Sequence, residues 1–359
     1  MIQLLVASSS SVTDHYGRLL LRPRILRNVS IIDTSTVVLG KRYNFPIAIG
    51  PTAYQKLASE LGEIDTARAA AALGTNAILS TNATTSLEDV AADVGAIDEF
   101  RPGLWFQLYF LGSRDITADL IRRAETAGYE ALVLTVDTAV LGNRIHERRS
   151  PLELPPGLST ANAKSRRAGG VSKAGLLLRA GTAADFKELA HEYRDSLVDS
   201  SLEWSEVIPW LRSQTRMRLI LKGIMTDSDA RLAVDAGVDA IIVSNHGGRQ
   251  LDEVPSTLEV LPEIVAAVKS EIPVIFDGGI TRGSDVFKAI ALGADLCLIG
   301  RSALWGLAWK GQQGVETVLH ILERELSRTM ALMGAARLED ISVDMLGRAK
   351  SEGFGVAKL

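Results

Sequence analysis

The sequence predicts an α/β protein, a (β/α)8 barrel carrying a long insert after its fourth strand. Three observations predict it. Eight short apolar runs recur along the 359 residues, too apolar for anything but a sheet buried on both faces. Segments of helical spacing lie between them, the alternation that builds a parallel sheet. Four of the runs follow a small-residue stop ending in glycine, at Gly74, Gly128, Gly237 and Gly293, where the left-handed turn that closes a helix is unstrained. A doubly wound sheet is the alternative, but no Gly-x-Gly-x-x-Gly opens a helix and no Walker loop is present.

In order, the strands are read at 46–49, 77–80, 104–109, 131–137, 218–222, 240–243, 273–277 and 296–299. Each is a run such as Ala240-Ile241-Ile242-Val243 that ends on a polar residue or glycine. Helical spacing is read at 61–72, 116–126, 204–210, 229–235 and 315–333, with Glu63 and Asp65 on a solvated helix face. Residues 138–202 break the rhythm with Pro, Gly, Ser and Lys/Arg. Inserts of that length are usually functional lids or disorder. The whole chain, 1–359, reads as one domain, with residues 1–20 an atypical, truncated start.

Composition narrows the function. Apolar residues make up 47% and charged residues 23%, enough for a large core. A net charge of −4 without a dense basic tract argues against nucleic acid as a partner. The single cysteine, Cys297, excludes an internal disulfide and a Cys-based metal cluster, and its apolar surroundings mark it as core. His146-Glu147 and His191-Glu192 lack the second histidine of a zinc helix, so no metal is expected. No run of 18 apolar residues predicts a membrane span, and no basic leader precedes the apolar start. The end, Ala357-Lys358-Leu359, is one small-residue exchange from the peroxisomal address Ser-Lys-Leu, so a peroxisomal location is expected, otherwise a cytoplasmic one.

The run Ser244-Asn245-His246-Gly247-Gly248-Arg249-Gln250-Leu251-Asp252 sets a titratable base and a fixed cation at the end of the sixth strand. In a barrel, active sites sit at the strands' C-terminal mouth, and the neighbouring strand ends are polar too. Pro51, Thr52 and Ala53 follow the first strand, Ser80 ends the second, and Gln107 and Tyr109 come from the third. Thr135 and Asp137 end the fourth, with Arg144 beyond, and Lys222 ends the fifth. Asp277-Gly278-Gly279 and Gly300-Arg301 close the seventh and eighth. These last two read as a phosphate site: the glycines allow close backbone approach, a helix N-terminus follows at Gly283, and Arg282 or Arg301 adds charge. Gln107, Thr135, Ser80 and the Thr52-Ala53 backbone suit the hydrogen-bonding edge of an isoalloxazine, and Lys222 suits negative charge on it. A buried lysine without an anion is costly. These residue types are compatible with a flavin without selecting it over other phosphorylated ligands.

Through Leu21-Arg22-Pro23-Arg24, Phe106-Gln107-Leu108-Tyr109, Thr135-Val136-Asp137-Thr138, Lys222-Gly223, the run from Ser244 to Asp252 and Asp277-Gly278-Gly279, the chain resembles the FMN-dependent 2-hydroxy-acid oxidases and dehydrogenases. The resemblance implies a homo-oligomeric barrel that holds FMN and oxidises an L-2-hydroxy acid to the 2-oxo acid, with O2 as acceptor and H2O2 as product. It implies that His246 takes the substrate's proton and that Asp137 hydrogen-bonds His246 and raises its pKa. Arg144 and Arg249 would clamp the carboxylate, and Tyr109 would hydrogen-bond the hydroxyl. Pro51, Thr52, Ala53, Ser80, Gln107, Thr135, Lys222, Ser244, Asp277, Gly278, Gly279, Thr281, Arg282, Gly300 and Arg301 would hold the cofactor. A dehydrogenase passing electrons to a quinone or cytochrome, and an impaired flavin-binding homologue, are the alternatives.

Three departures from the family pattern carry expectations. The family's second active-site tyrosine lies upstream of the Arg-Pro-Arg run, and Tyr16 is too close to Pro23 to be its equivalent. Asn82 stands where members selective for glycolate carry tryptophan, which implies a roomier or more polar pocket. Thr281 stands where an arginine usually meets the FMN phosphate, which implies weaker cofactor binding.

Overall fold

The structure, a computed structural model, describes residues 15–95, 102–144, 147, 149, 152–162, 183–349 and 356–359. All eight strands form where the apolar runs placed them: β1 (Ile47–Ile49), β2 (Ile78–Ser80), β3 (Trp105–Leu108), β4 (Ala131–Thr135), β5 (Arg218–Ile224), β6 (Ala240–Val243), β7 (Val274–Asp277) and β8 (Leu296–Ile299). They hydrogen-bond in the order β1-β8-β7-β6-β5-β4-β3-β2, every pair parallel, and a parallel bridge from Ile49 to Ala77 joins β1 to β2. The barrel is thereby closed and has no free edge.

Period-two alternation divides the apolar residues between two cores. Ala48, Ile78, Trp105, Val133, Ile220, Ile242, Ile275 and Leu298 form one cluster, the barrel interior. Ile47, Leu79, Phe106, Leu132, Leu221, Ile241, Phe276 and Cys297 form the other, packed against the surrounding helices. A hairpin that the sequence reading did not find, Thr36–Val38 paired with Lys41–Tyr43, adds Val38, Leu39 and Tyr43 to the interior cluster. Lys41 reaches Glu130, the residue before β4, at 2.9 Å, so the hairpin plugs the N-terminal end.

The helices are α1 (Glu63–Ala72), α2 (Leu87–Val94), α3 (Arg114–Thr126), α4 (Ala183–Glu192), α5 (Trp204–Gln214), α6 (Asp227–Asp235), α7 (Thr257–Val268), α8 (Gly283–Ala291) and α9 (Arg301–Met333). Helix α9 starts directly after β8 rather than at 315, and it bends at Lys310 and Gly311, where the backbone leaves helical values. The bend breaks the apolar period, which is why spacing alone revealed only its second half. Of the insert, residues 161–162 dock on the barrel: Ala161 donates to Ala83 O at 2.9 Å, and Asn162 Oδ1 accepts from Leu87 N at 2.8 Å. The lid or disorder expected of 138–202 falls partly on residues outside the described ones, 163–182 among them, while Ala183–Glu192 of the insert form α4. Among the described residues, no helix is long and apolar enough to cross a membrane, and no His/Cys/Asp/Glu group is suited to a metal.

Glu63 and Asp65 are not solvated, contrary to the helix-face reading. Glu63 is 1% exposed and accepts the N–H groups of Gln55 (3.0 Å) and Thr84 (2.8 Å) and the hydroxyls of Thr84 (2.8 Å) and Thr85 (2.9 Å). One carboxylate therefore ties the loop after β1 to the loop after β2. Glu63→Ala leaves these donors unmatched and is expected to cost about 2–4 kcal/mol in urea melts. A midpoint equal to the parent's would show that the two loops hold each other by other contacts.

Candidate active site

The alternation that fills the barrel with aliphatic side chains turns polar at its last inward layer. Two residues above Ile78, Trp105, Val133, Ile220, Ile242, Ile275 and Leu298 come Ser80, Gln107, Thr135, Lys222, Ser244, Asp277 and Gly300, one per strand. Every one had been singled out from the sequence, and the fold brings them into a single ring. The ring is cross-linked. Gln107 Nε2 donates to Thr135 Oγ1 at 2.9 Å, and its Oε1 accepts from Thr81 N at 3.1 Å and Ser80 Oγ at 3.4 Å. Lys222 Nζ donates to Ser244 Oγ at 2.7 Å and lies 3.2 Å from Asp277 Oδ2, and Ser244 Oγ donates to that same oxygen at 2.8 Å.

Local backbone aims the lysine. A bulge between β5 and β6 falls at Lys222 and Ile224, across Gly223, whose φ is +115°. A Cβ at 223 would come within 2.7 Å of Asp137 Cβ, so only glycine lets the ends of β4 and β5 approach this closely. Burial works to lower the Lys222 pKa, but Asp277 and Asp137 overcome it and hold the ammonium above its usual value.

Two residues above the ring stand Tyr109, Asp137 and His246, again of the inward parity. His246 sits in the left-handed region (φ +58°), held by its N–H to Ser244 Oγ at 3.1 Å. Its Nδ1 lies 2.8 Å from Asp137 Oδ1. Burial works to raise the Asp137 pKa, but the His246 hydrogen bond and the charges nearby prevail and keep it below the ordinary carboxylate value. Asp137 is thus an ionised acceptor, so Nδ1 carries the proton and Nε2 keeps its lone pair. Asp137 acts on the His246 pKa in the expected direction but does not set it. Asp137 does push upward, but burial pushes down harder, with Lys222 and Arg144 adding to it, and the net pKa lies below 6.5. Burial also raises the Tyr109 pKa, so its phenol stays protonated.

Arg144 and Arg249 meet at the rim. Arg144 Nε donates to Arg249 O at 3.2 Å and Nη2 to Gln250 Oε1 at 3.2 Å. Gln250 in turn donates to Asp137 O and Val140 O, each at 3.0 Å, and accepts from Gly142 N at 3.1 Å. Gln250 thus splints the loop carrying Arg144 onto the His246 turn. The sequence reading gave it no task, since its partners lie more than a hundred residues away.

The residues present fit FMN. Lys222 uses two of its three N–H donors within the ring, leaving one for an anion in the mouth, and the Gln107 amide retains a free donor. Gly278 and Gly279 have φ of +123° and +71°, and a Cβ on Gly300 would meet nothing nearer than 3.8 Å, leaving room for a close phosphate. Helix α9 opens at Gly300 with no side-chain cap and no acid in its first turn, a free N-terminus for an anion. The expected contribution of the α8 N-terminus is overturned. The N–H groups of Thr281 and Arg282 donate to Asp285 Oδ2 (3.0 and 2.9 Å), and Gly283 N donates to Glu325 Oε2 at 2.8 Å. Two carboxylates already occupy that helix end. The Arg282 side chain is exposed, whereas Arg301 Nη2 donates to Gly247 O at 2.9 Å beside the His246 turn. Tyr16 backs the phosphate loop, its hydroxyl donating to Gly278 O at 2.7 Å. Pro51, Thr52, Ala53 and Asn82 lie half-buried at the mouth, where Asn82 N donates to Ser80 Oγ at 3.1 Å.

Known proteins share this architecture. The sequence profile of the FMN-dependent dehydrogenase family matches residues 7–348. An L-lactate oxidase of Nostoc sp. is 46% identical over 332 residues, covering 92% of this chain and 87% of the relative. A peroxisomal (S)-2-hydroxyacid oxidase of Arabidopsis thaliana is 43% identical, covering 91% of this chain and 84% of the relative. Among solved structures, a soluble mutant of the membrane-associated (S)-mandelate dehydrogenase of Pseudomonas putida superposes with a TM-score of 0.81 at 35% identity, covering 93% of this chain and 88% of that one. With its barrel, its polar ring and a profile spanning nearly its whole length, the chain belongs to the FMN-dependent 2-hydroxy-acid oxidase and dehydrogenase family.

Proposed function

We propose that the chain oxidises a small L-2-hydroxy acid to the 2-oxo acid, with dioxygen as the final acceptor and hydrogen peroxide as product. The observation that carries this reading is an imidazole held 2.8 Å from a carboxylate, at the same mouth as two guanidinium groups. FMN, when bound, would supply the acceptor for two electrons and one of the two protons that the substrate loses. Arg144 and Arg249 hold the substrate carboxylate, a planar match that lysine does not offer. Tyr109 donates its phenol proton in a hydrogen bond to the substrate oxygen. His246 Nε2 takes the proton, and Asp137 stabilises the imidazolium that results. Asn82, smaller than the tryptophan that members selective for glycolate carry there, supports 2-hydroxy acids longer than glycolate.

The test is anaerobic. The purified protein should be yellow, L-lactate or a longer 2-hydroxy acid should bleach it, and air should restore the colour with peroxide released. A yellow protein that no 2-hydroxy acid bleaches overturns the reading. Bleaching followed by slow recovery in air points to a quinone or cytochrome as acceptor. The pH profile is a further check, because His246 accepts a proton only when neutral. With burial holding its pKa below the ordinary imidazole value of 6.5, the rate of anaerobic bleaching should fall in acid with a midpoint below 6.5. A midpoint above that value would show that Asp137 outweighs burial.

We further propose that the chain works as a homo-oligomer in peroxisomes. The exposed Trp305 and Trp309 on the first half of α9 support the first point as an apolar patch. The exposed Ala357-Lys358-Leu359 and the relative named as peroxisomal support the second.

A further inference from the structure

We propose that Glu147 is a built-in competitor of the substrate carboxylate, seated between the two guanidinium groups of the clamp. Its Oε1 lies 2.6 Å from Arg249 Nη2 and its Oε2 lies 3.3 Å from Arg144 Nη1. One carboxylate bridging two arginines, an oxygen to each, is the contact a 2-hydroxy acid would make there. The seat is sheltered: the three side chains are 14%, 18% and 20% exposed for Arg144, Glu147 and Arg249. Burial and the like charge of Arg144 lower the Arg249 pKa, and Glu147 is the first group that opposes them.

The remaining Arg144 contacts sharpen the point. Nε is engaged by Arg249 O and Nη2 spends one of its two N–H groups on Gln250 Oε1, while Nη1 faces Glu147. An incoming carboxylate must share or displace Glu147 there. The charge count agrees: two guanidinium groups and one carboxylate leave a single positive charge, which one substrate carboxylate neutralises. A second carboxylate on the ligand would face Glu147 and be repelled. The site is thereby tuned to monocarboxylates. This inference rests on the reading of Arg144 and Arg249 as the substrate clamp.

Calorimetric titration of acetate and malonate into the full chain tests it without any flavin chemistry. Glu147→Gln removes the competing charge at nearly constant shape and should bind acetate roughly tenfold more tightly, with a larger gain for malonate. Glu147→Asp keeps the charge on a shorter stem and should bind both anions near the parental affinity. Acetate binding that is unchanged or weaker in the Gln variant overturns the proposal, because weaker binding is what loss of a mere scaffold for the arginines produces. An Asp variant that gains as much as the Gln variant overturns it too, since charge would then not be the cause. Bleaching of the parent by 2-hydroxy acids, run in parallel, reports separately on the oxidation reading.

Discussion

Replacing His246 by Gln should slow anaerobic bleaching by roughly a thousandfold, within the range of about 10²–10⁴ typical of a positioned general base, while the protein stays yellow. Glutamine can keep a hydrogen bond to Asp137 and can share the half-buried site. It has no basic lone pair where Nε2 stands. None of the ring residues proposed to hold the cofactor depends on the imidazole: Lys222, Ser244 and Asp277 are bound to one another. Colour and bleaching therefore separate. Rapid-mixing absorbance under argon measures the rate. A variant that bleaches at the parental rate would remove His246 as the base, and loss of colour would mean that the turn itself needs the ring.

Lys222→Met has the next largest expected effect. It deletes the ammonium from a pair whose side chains are 6% and 17% exposed and leaves Asp277 with one neutral donor, Ser244. Breaking a buried pair by removing one partner costs about 3–5 kcal/mol, and the loss should show as a lower urea midpoint. Affinity for FMN should fall as well, because Lys222 is the one cation among the seven ring residues. Urea melts and a fluorescence titration with FMN check both points. Parental stability with parental FMN affinity would show the ammonium to be idle.

The barrel was legible because its strands are buried on both faces, which leaves little room for polar residues except at their ends. The same rule made the ring legible: Ser80, Gln107, Thr135, Lys222, Ser244 and Asp277 are the first polar residues of inward parity after each apolar run. Other features do not show in local sequence. Glu63 looks like an ordinary acid in the first turn of a helix, and only the loops above it, from Gln55 and from Thr84-Thr85, reveal four hydrogen bonds. Gln250 and Glu147 act on partners that folding brings to them: Gln250 on Asp137 and Gly142, Glu147 on Arg249. The net direction of the His246 pKa was not legible for a related reason. A partner can be read from a motif, whereas desolvation depends on everything packed around the group.

The carboxylate of Glu63, wedged behind the loop that carries Thr52 and Ala53, has a consequence for assembly of the working protein. Gln55, which Glu63 fixes through its N–H, also donates to Thr52 Oγ1 at 2.9 Å, so this wall of the mouth is held by the protein's own contacts. Loading then spends little conformational entropy on that side. Stripped protein should behave as a rigid receptor, recovering its colour at a speed governed by diffusion and desolvation rather than by a slow refolding of loops.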